Sequence, residues 1–327
     1  MEHRVSRAIF HAHEMTDDNT LHVVAVISNH AQYHSRYRLA REFIREMKAT
    51  PCVKLHLVEL AHGHHKHELA ADMIGESYLP LRSHHGHLWL KEALVNAGVR
   101  YLLPNDWKYM AWVDADIHFR DPEWAKISIQ RLQDYEVIQP WATCVDIGAH
   151  GQALLNHESF ASILNSGLPM KSTWDANYKY CHTGFAWACR RSFWEALAGQ
   201  GLMSFNLVGS GDHHRGWALI NRAHDSVHGK MSDGFKRMVD QWARLAYRKC
   251  NGHVGVVQTR IEHHFHGSKQ KRYYRERWQI FVSAAFDPYK DLCYDEWGLP
   301  YIVGKPGLDE EIRRYNFSRQ EDQSTDS

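Results

Sequence analysis

Several features that would assign this chain to a specialised class are missing from its sequence. No stretch of the 327 residues approaches the roughly 20 uninterrupted apolar residues of a membrane helix. The opening MEHRVSRAIFHAHEM has no sustained apolar segment, so no secretion signal is expected. The six cysteines lack CxxC spacing, which favours free thiols over a disulfide framework. These absences predict a cytoplasmic protein without membrane insertion.

Charge and composition do not indicate a class of partner. The formal charge is +1, and 24% charged with 44% hydrophobic residues is ordinary for a globular protein. No internal repeat or Gly/Ser linker divides the chain, so one domain is predicted over residues 1–304. The polar ending RQEDQSTDS predicts a frayed tail over residues 305–327.

Histidine is abundant, at 26 of 327 residues. Two clusters resemble metal-binding tracts. They are His62, His64, His65 and His67 in AHGHHKHE, and His84, His85 and His87 in SHHGH. Neither cluster has the helical i,i+4 pair with a nearby acid that zinc proteases use, so both are interpreted as polar loop residues.

Apolar patterning over the first 150 residues alternates between strands and helices. LHVVAVISN (21–29) and VKLHLVEL (53–60) are predicted strands, and the segment between them has helical spacing. LWLKEALVNAGV (88–99) is a predicted helix ending at Gly98, followed by the strand YMAWVDADI, a further helix and a further strand. This alternation predicts an α/β fold with a mainly parallel sheet, helices on its faces and functional loops at the strand ends.

The later half is less regular. GFKRMVDQWARLAYRK is a predicted amphipathic helix, HVGVVQTRIEHHF has the pattern of a strand, and QKRYYRERWQIFVSAAF is a predicted basic helix.

The stretch KYMAWVDADIHFRDPEW (108–124) ends an apolar run with two aspartates. On a strand, Asp114 and Asp116 would point to the same side. Two neighbouring carboxylates repel each other unless a cation lies between them or water reaches them. The pattern favours a strand-end site for Mg²⁺ or Mn²⁺ shared with a phosphate ligand. The alternative is an aspartate capping the loop beside a solvated one.

Together with two later segments, this triplet resembles the GT-A glycosyltransferases, in which a DxD sequence holds the divalent ion of the donor diphosphate. CHTGFAWACRRSFWEALAG (181–199) with LVGSGDHH (207–214) is similar to the acceptor side of galactosyltransferase-type and polypeptide N-acetylgalactosaminyltransferase-type enzymes. IEHHFHGSKQKRYYRERW (261–278) is similar to their later histidine-containing loop. The ordered set, over about residues 20–300, looks most like phage and bacterial glycosyltransferases of the TET/JBP-associated, base J glucosyltransferase-like group.

This resemblance implies a single GT-A domain, a Rossmann-like nucleotide-diphospho-sugar transferase with a mixed, mainly parallel central sheet. Its nucleotide-sugar half would cover about residues 20–150, and its acceptor and metal-completing half about residues 151–304. It also implies hexosyl transfer from a UDP-sugar with Mn²⁺ or Mg²⁺.

The resemblance also implies a metal site. Asp116 would be a direct ligand, and Asp114 a second ligand or a ribose contact. His266 is the favoured histidine ligand and His263 the runner-up, with His264 left open. Ordinary loop histidine is the alternative for each.

Asp212 matches the acidic position at which inverting members keep a general base. Such a base would remove the proton of the acceptor hydroxyl as it attacks the anomeric carbon. GSGDHH has a single acid followed by two histidines, so the role could pass to His213 or His214. A solvated loop aspartate is the alternative.

Donor contacts are expected after the first strand and on the helix before the DxD strand. Ser28, Asn29 and Tyr33 occupy the place where this fold usually seats the nucleobase. Glu92 and Asn96 are expected to support that site.

Basic residues between 269 and 277, Lys269 and Arg272 among them, could face the pyrophosphate or a polyanionic acceptor. A solvated helix face is the alternative. The implied acceptor is the hydroxymethyl group of a 5-hydroxymethylpyrimidine in DNA, in the host cytoplasm if the enzyme is phage-encoded. An enzyme of this kind must extrude the base and follow phosphates, which would give the basic residues a purpose.

Three other readings remain open. The acceptor could be a cell-surface glycan precursor assembled in the cytoplasm. DADI and GDHH superficially fit a DHH-type phosphoesterase, although that triplet normally ends an apolar strand, whereas here it follows Gly-Ser-Gly in a predicted loop. A nucleic-acid-binding module would explain the basic and aromatic residues but not the carboxylates. The donor sugar, the stereochemical outcome and the oligomeric state have no readable signal.

Overall fold

The apolar run after residue 20 forms the strand around which the fold is built. This strand, β1 (Leu21–Ser28), has residues such as Val23 and Val24 fully buried on opposite faces. Burial on both faces is typical of a parallel strand covered by helices. The computed structural model describes residues 19–170, 181–267 and 276–322.

The remaining elements have the following bounds. The strands are β2 (Val53–His62), β3 (Ser77–Ser83), β4 (Tyr109–Val113), β5 (Ile117–Phe119), β6 (Val137–Gln139), β7 (Thr143–Ile147), β8 (Ala153–Glu158), β9 (Ala186–Arg190), β10 (Val254–Val256), β11 (Arg260–His263), β12 (Leu292–Tyr294) and β13 (Pro300–Ile302). The helices are α1 (His34–Ala49), α2 (Lys91–Leu102), α3 (Trp124–Arg131), α4 (Phe160–Asn165), α5 (Arg191–Ala196), α6 (Gly211–Leu219), α7 (Asp233–Cys250), α8 (Trp278–Ser283), α9 (Pro288–Asp291) and α10 (Pro306–Ser318).

Within the described residues, seven strands form the central sheet in the order β10-β6-β9-β4-β1-β2-β3. The strands β4, β1, β2 and β3 are parallel, whereas β9 runs antiparallel to both β4 and β6. The predicted mixed, mainly parallel sheet is therefore confirmed. Because β1, β2 and β4 run in the same direction, their carboxyl ends meet at one edge of the sheet.

Helices cover both faces of this sheet, as predicted. On one face Val24 and Val58 belong to a core that includes Leu94 of α2. On the other face Val23 packs in a core with Phe43 of α1 and residues of α3. None of the helices in the described ranges is long and apolar enough to cross a bilayer.

A second, four-stranded sheet has the order β5-β11-β7-β8 in the described part of the chain. Its strand β11 pairs antiparallel with β5 and parallel with β7. This register sets His263 beside Ile117 and Asp146. The second sheet therefore brings the HHFH segment close to the turn that follows β4.

Helix boundaries differ from expectation in two places. Gly98 lies inside α2 and does not end it, because α2 packs so closely on the sheet that a Cβ there would lie 2.7 Å from Val24 Cγ1. The GDHH sequence opens helix α6, although it was expected in a loop. Of the predicted basic helix over 270–286, residues 278–283 form α8, and residues 268–275 lie outside the described residues.

The frayed tail predicted for residues 305–327 is wrong for residues 306–322. Residues Pro306–Ser318 form α10, and its apolar side chains Leu308, Ile312 and Tyr315 are buried at i, i+4, i+7 spacing. These apolar side chains pack the helix against the domain, although the helix is polar in overall composition. Residues 323–327 lie outside the described residues.

Several histidines are buried in the folded protein and are expected to stay neutral there. Burial lowers the pKa of His22 and His62 to about 4, and that of His214 to about 3. In the unfolded chain a histidine titrates at about 6.5. Between these values the unfolded chain binds protons that the folded chain does not, so stability decreases as the pH falls.

We expect the free energy of unfolding, measured by urea denaturation, to fall between about pH 6.5 and pH 4. The slope should reach about 1.4 kcal/mol per pH unit for each such histidine. His214→Gln should make the dependence shallower, because it removes one of the histidines that burial keeps neutral. A stability independent of pH in this window would contradict the neutral state of these histidines.

Candidate active site

A pocket lies at the edge where the parallel strands β1 and β4 end, the usual position of ligand sites in open α/β sheets. It draws on the end of β1, on helices α1 and α2, on the turn after β4 and on the segment after β11. Its polar lining includes Ser28, Arg36, Lys91, Asp114, Asp116 and His266.

Asp114 and Asp116 lie in the turn between β4 and β5, not on a strand as expected. Strand alternation therefore does not explain their shared side, yet both line the pocket. The two carboxylates face different partners. Asp114 forms an ion pair with Lys91, and Asp116 Oδ2 lies 2.8 Å from His266 Nε2.

Asp116, His263 and His266 each bring one potential metal-ligand atom within 4.8 Å of the others. Besides the 2.8 Å contact with His266, Asp116 Oδ2 lies 3.9 Å from His263 Nε2, and the two Nε2 atoms are 3.3 Å apart. Ligands held about 2.1 Å from one ion at right angles are roughly 3 Å apart. The three side chains thus have spacings close to those of a coordinated cation.

The other ring nitrogen of each histidine faces a buried carboxylate. His263 Nδ1 lies 2.8 Å from Asp146 Oδ1, and His266 Nδ1 lies 3.2 Å from Glu321 Oε2. These contacts favour the tautomer in which Nδ1 carries the proton and donates a hydrogen bond to the carboxylate. Both Nε2 lone pairs then point towards each other and towards Asp116. The two lone pairs and the Asp116 carboxylate repel one another, and a cation between these three groups would remove this repulsion.

The donor atoms of this cluster favour Mn²⁺ over Mg²⁺. Mg²⁺ prefers oxygen ligands, whereas imidazole nitrogen suits softer divalent metals. Asp114 does not belong to the cluster, since its carboxylate pairs with Lys91. His264 contributes only its backbone N–H, which donates to the Asp116 carbonyl, and its ring packs against His118.

Helix α6 begins beside this pocket with strained backbone. Ser210, which precedes the helix, has φ 72°, a left-handed conformation that is uncommon for a residue with a side chain. Arg277, from the basic segment 269–277, donates a hydrogen bond to the Ser210 hydroxyl. Glu92 lies beneath Gly211, where a Cβ would be 2.6 Å from its Cδ. Glu92 thus supports the start of α6 and does not line the pocket.

Asp212 occupies the first turn of α6, where the helix dipole favours a negative charge. Its Oδ2 accepts a hydrogen bond from Thr183 Oγ1 at 3.3 Å. Burial acts to raise the pKa of Asp212, but the cations Lys91 and Arg215 outweigh it and lower that pKa to about 2. Asp212 is therefore ionised at neutral pH. Lys91 in turn lies between the negative charges of Asp114 and Asp212, which raise its pKa in spite of burial.

The two histidines after Asp212 are buried in the core, so neither offers a good alternative base. His213 and His214 pack against Trp278, with ring centroids 5.7 and 5.8 Å away. His214 Nδ1 also contacts Ser226 Oγ at 2.9 Å. Burial lowers the pKa of His213 to about 4.

The residues predicted to hold the nucleobase are separated by the structure. Ser28 lines the pocket, and its Oγ lies 3.0 Å from His62 Nε2. Asn29 instead closes the turn before α1, because its side chain bonds to both the N–H and the carbonyl of Tyr33. The Tyr33 hydroxyl is bonded to the C-terminal segment, where it accepts from Gln320 N.

Asn96 lies away from the pocket. Its side chain accepts a hydrogen bond from Leu202 N at 2.7 Å and donates to the Leu202 carbonyl at 2.9 Å, so it anchors the loop before α6. Lys269 and Arg272, the predicted phosphate contacts, lie outside the described residues.

Among the residues of the site that had not been singled out from the sequence are Arg36, Lys91, Asp146 and Glu321. Asp146 had a usable signal, since it is a lone acid in the apolar strand TCVDI. Lys91 precedes Glu92 within a segment already noted. Glu321 had no signal, because it lies in a stretch of tail-like composition.

The histidine-rich tracts were interpreted as loop residues, and this is wrong for His62. It ends β2 and is buried, with its ring centroid 5.4 Å from that of His30 and 6.0 Å from that of His87. Among the described residues, these three histidines do not form a group whose potential ligand atoms all lie within 4.8 Å of one another, as those of Asp116, His263 and His266 do.

No protein-family model matches this chain, and no curated protein matches its sequence. Solved structures match it at low similarity. S. aureus TarS, residues 1–349, is 11% identical with a TM-score of 0.40 over 91% of this chain and 72% of that one. Mannosyltransferase PcManGT of Pyrobaculum calidifontis, in complex with GDP-Man and Mn²⁺, is 11% identical with a TM-score of 0.45 over 91% and 68%.

A Drosophila β-1,4-galactosyltransferase 7, in complex with manganese, UDP-Gal and xylobiose, is 13% identical with a TM-score of 0.33. That match covers 63% of this chain and 62% of the other. All three TM-scores are below 0.5, so what these proteins bind says nothing about what this chain binds.

Proposed function

We propose that this protein is a metal-dependent glycosyltransferase that moves a sugar from a nucleoside diphosphate sugar to a hydroxyl acceptor. The observation that carries the proposal is the cluster of Asp116, His263 and His266, two of which, Asp116 and His266, line a pocket at the carboxyl ends of parallel strands. A nucleotide diphosphate is an expected ligand at this edge. The GT-A resemblance of the sequence supports the same conclusion.

Asp116, His263 and His266 would hold the ion, and Asp114 with Lys91 would lie beside the donor. When bound, a divalent ion supplies positive charge that stabilises the diphosphate leaving group. Lys91 adds an ammonium group at the same end of the pocket, where it interacts electrostatically with both Asp114 and Asp212. As the glycosidic bond breaks, this ammonium can offset charge that develops on the leaving oxygen.

Asp212 is the residue we assign as general base. Its carboxylate is ionised and interacts with Lys91, and the residue is only partly buried, so it can accept the proton of an acceptor hydroxyl. Its low pKa makes it a weak base while Lys91 is its close neighbour. A donor diphosphate bound against Lys91 would counter that cation and make Asp212 more basic.

The hydrolase alternative needs His213 and His214 as metal ligands, and their burial against Trp278 counts against it. Transfer to hydroxymethylpyrimidine in DNA, and membership of the base J glucosyltransferase-like group, rest on the sequence resemblance alone. Most of the basic segment that motivated a DNA acceptor lies outside the described residues.

The test is incubation of the protein with a panel of UDP- and GDP-sugars and Mn²⁺, with nucleoside diphosphate release as the readout. We expect release with at least one donor, faster with Mn²⁺ than with Mg²⁺ and none with EDTA, because the ligand set includes two imidazoles. Parallel reactions contain DNA with hydroxymethylcytosine or hydroxymethyluracil, and its nucleosides are weighed by mass spectrometry.

A hexose-sized mass gain on either base would establish the DNA acceptor. Slow donor hydrolysis without a mass gain would support the glycosyltransferase and reject that acceptor. Absence of both, with phosphoester cleavage in its place, would favour the hydrolase.

A further inference from the structure

The segment after α10 carries a carboxylate that is buried against the metal-ligand cluster. The side chain of Glu321 is 1% exposed and accepts hydrogen bonds from Arg36 at 2.5 and 2.7 Å. Arg319 Nε lies 2.9 Å from Glu321 Oε1. The other oxygen, Oε2, lies 3.2 Å from His266 Nδ1. One carboxylate thus joins two arginines to the histidine that faces Asp116.

The same segment is fixed to the domain at independent points. Asp322 accepts hydrogen bonds from the His34 and Ser35 N–H groups at 2.8 Å each, and so caps the first turn of α1. Gln320 N–H donates to the Tyr33 hydroxyl at 3.0 Å. These contacts place the Glu321 carboxylate without help from His266. The histidine is therefore oriented by the carboxylate, not the reverse.

Arg36 extends the connection into the pocket. Besides its two bonds to Glu321, it donates through Nη1 to the Ser28 carbonyl at 2.7 Å, at the end of β1. Arg36 and Arg319 also lie near the indole of Trp89, 5.8 and 5.0 Å from its centroid. Arg36 thus connects the end of β1, at the pocket, to the Glu321 carboxylate, which contacts the metal ligand His266.

We propose that Glu321 is a positioning residue for the metal site, and that segment 319–322 acts as a C-terminal latch that completes it. This inference rests on the proposed function, because it concerns the same metal. The carboxylate accepts a hydrogen bond from the Nδ1–H of His266 and thereby points the Nε2 lone pair at Asp116. Asp146 does the same for His263, and it is itself held by His157 Nε2 at 2.6 Å. Removal of a carboxylate that orients a ligating histidine typically weakens metal binding by roughly 10- to 100-fold.

The test is Mn²⁺ affinity, measured by electron paramagnetic resonance titration of the full chain without nucleotide. Glu321→Gln should weaken Mn²⁺ binding by roughly 10- to 100-fold. The matched control is Asp322→Asn, which loosens the same segment but touches neither His266 nor the arginines that hold Glu321. It should change Mn²⁺ affinity by less than about threefold, because Arg36 and Arg319 still hold the Glu321 carboxylate and the Gln320 N–H still anchors the segment.

Glu321→Gln leaves the partly buried Arg36 and the buried Arg319 without their carboxylate and could fail to fold. The paired variant Arg319→Gln/Glu321→Gln removes one charge of each sign and should show the same loss of Mn²⁺ affinity. Thermal unfolding in EDTA reports whether each variant is folded. Equal Mn²⁺ affinity of the folded paired variant and the wild type would overturn the proposal. An equal loss in Asp322→Asn would overturn the positioning role of the Glu321 carboxylate, because loosening of the segment alone would then account for the loss.

Failure of the proposed function gives a different pattern. If the wild type binds no Mn²⁺, or if Asp116→Asn binds it as well as the wild type, the metal site itself is wrong and the latch falls with it. If Asp116→Asn loses Mn²⁺ while both Glu321 variants keep it, the metal site stands and only the latch is rejected.

Discussion

Replacement of Asp116 by alanine is expected to abolish metal-dependent sugar transfer and to leave the fold intact. Asp116 is the one carboxylate of the Asp116–His263–His266 cluster, so its loss leaves two neutral imidazoles to hold a dication. The metal contributes several kcal/mol of charge stabilisation, so turnover should fall roughly 10³-fold or more. Mn²⁺ affinity should fall with it.

The fold should survive because Asp116 lies in a turn and its backbone hydrogen bond does not depend on the side chain. Its carbonyl accepts the His264 N–H at 2.9 Å, and alanine keeps that bond. The control is Asp134→Ala, at an exposed aspartate, which should affect neither turnover nor Mn²⁺ affinity. A folded Asp116→Ala protein with full metal-dependent activity would reject the metal-site assignment.

Replacement of Asp212 by asparagine is expected to lower turnover by roughly 10²- to 10⁴-fold, the usual contribution of a general base. Asparagine has nearly the same shape and can still accept the Thr183 hydrogen bond, but it cannot take up a proton. Asp212 lies outside the metal-ligand cluster, so Mn²⁺ affinity should stay within about threefold of the wild type. Steady-state kinetics and the same Mn²⁺ titration separate the two effects.

Asp233→Asn is the matched control for this variant. Asp233 also lies in the first turn of a helix, α7, but its side chain is 94% exposed and does not line the pocket. The Asp233→Asn variant should have the turnover of the wild type. If Asp212→Asn kept full turnover, the base would have to be another group. Loss of transfer with retention of slow donor hydrolysis would strengthen the assignment, because only acceptor activation would then be missing.

The first βαβ unit could be predicted because its signals are local. Continuous apolar runs formed β1 and β2, and the helically spaced segment between them formed α1 and ended before Pro51. Local signals misled where packing decided the outcome. Gly98 is needed for close approach to Val24, not to end a helix. The GSGDHH segment has loop-like glycines, yet it opens α6 after a strained Ser210.

Only part of the candidate site could be predicted from local sequence signals. Asp116 and His266 were named because a DxD triplet and a later histidine occur in the expected order. The structure brings both to one pocket, and His263 joins them in the ligand cluster. Asn29, Tyr33 and Asn96 were named by position along the chain, and their side chains instead serve turns and loops. Proximity to a strand end does not specify the direction of a side chain.

The sequence by itself determined the alternation of strands and helices, and it determined the residue types that could bind a metal at the carboxyl ends of the strands. Periodicity and residue chemistry are local properties, so they can be read without coordinates. Only the tertiary structure decided which partners complete the site. Asp146 lies 117 residues from His263 along the chain, and Glu321 lies 55 residues from His266. These pairs meet because β11 inserts between β5 and β7, and because α10 docks through its apolar stripe. Such long-range contacts depend on register and packing, which no local pattern records.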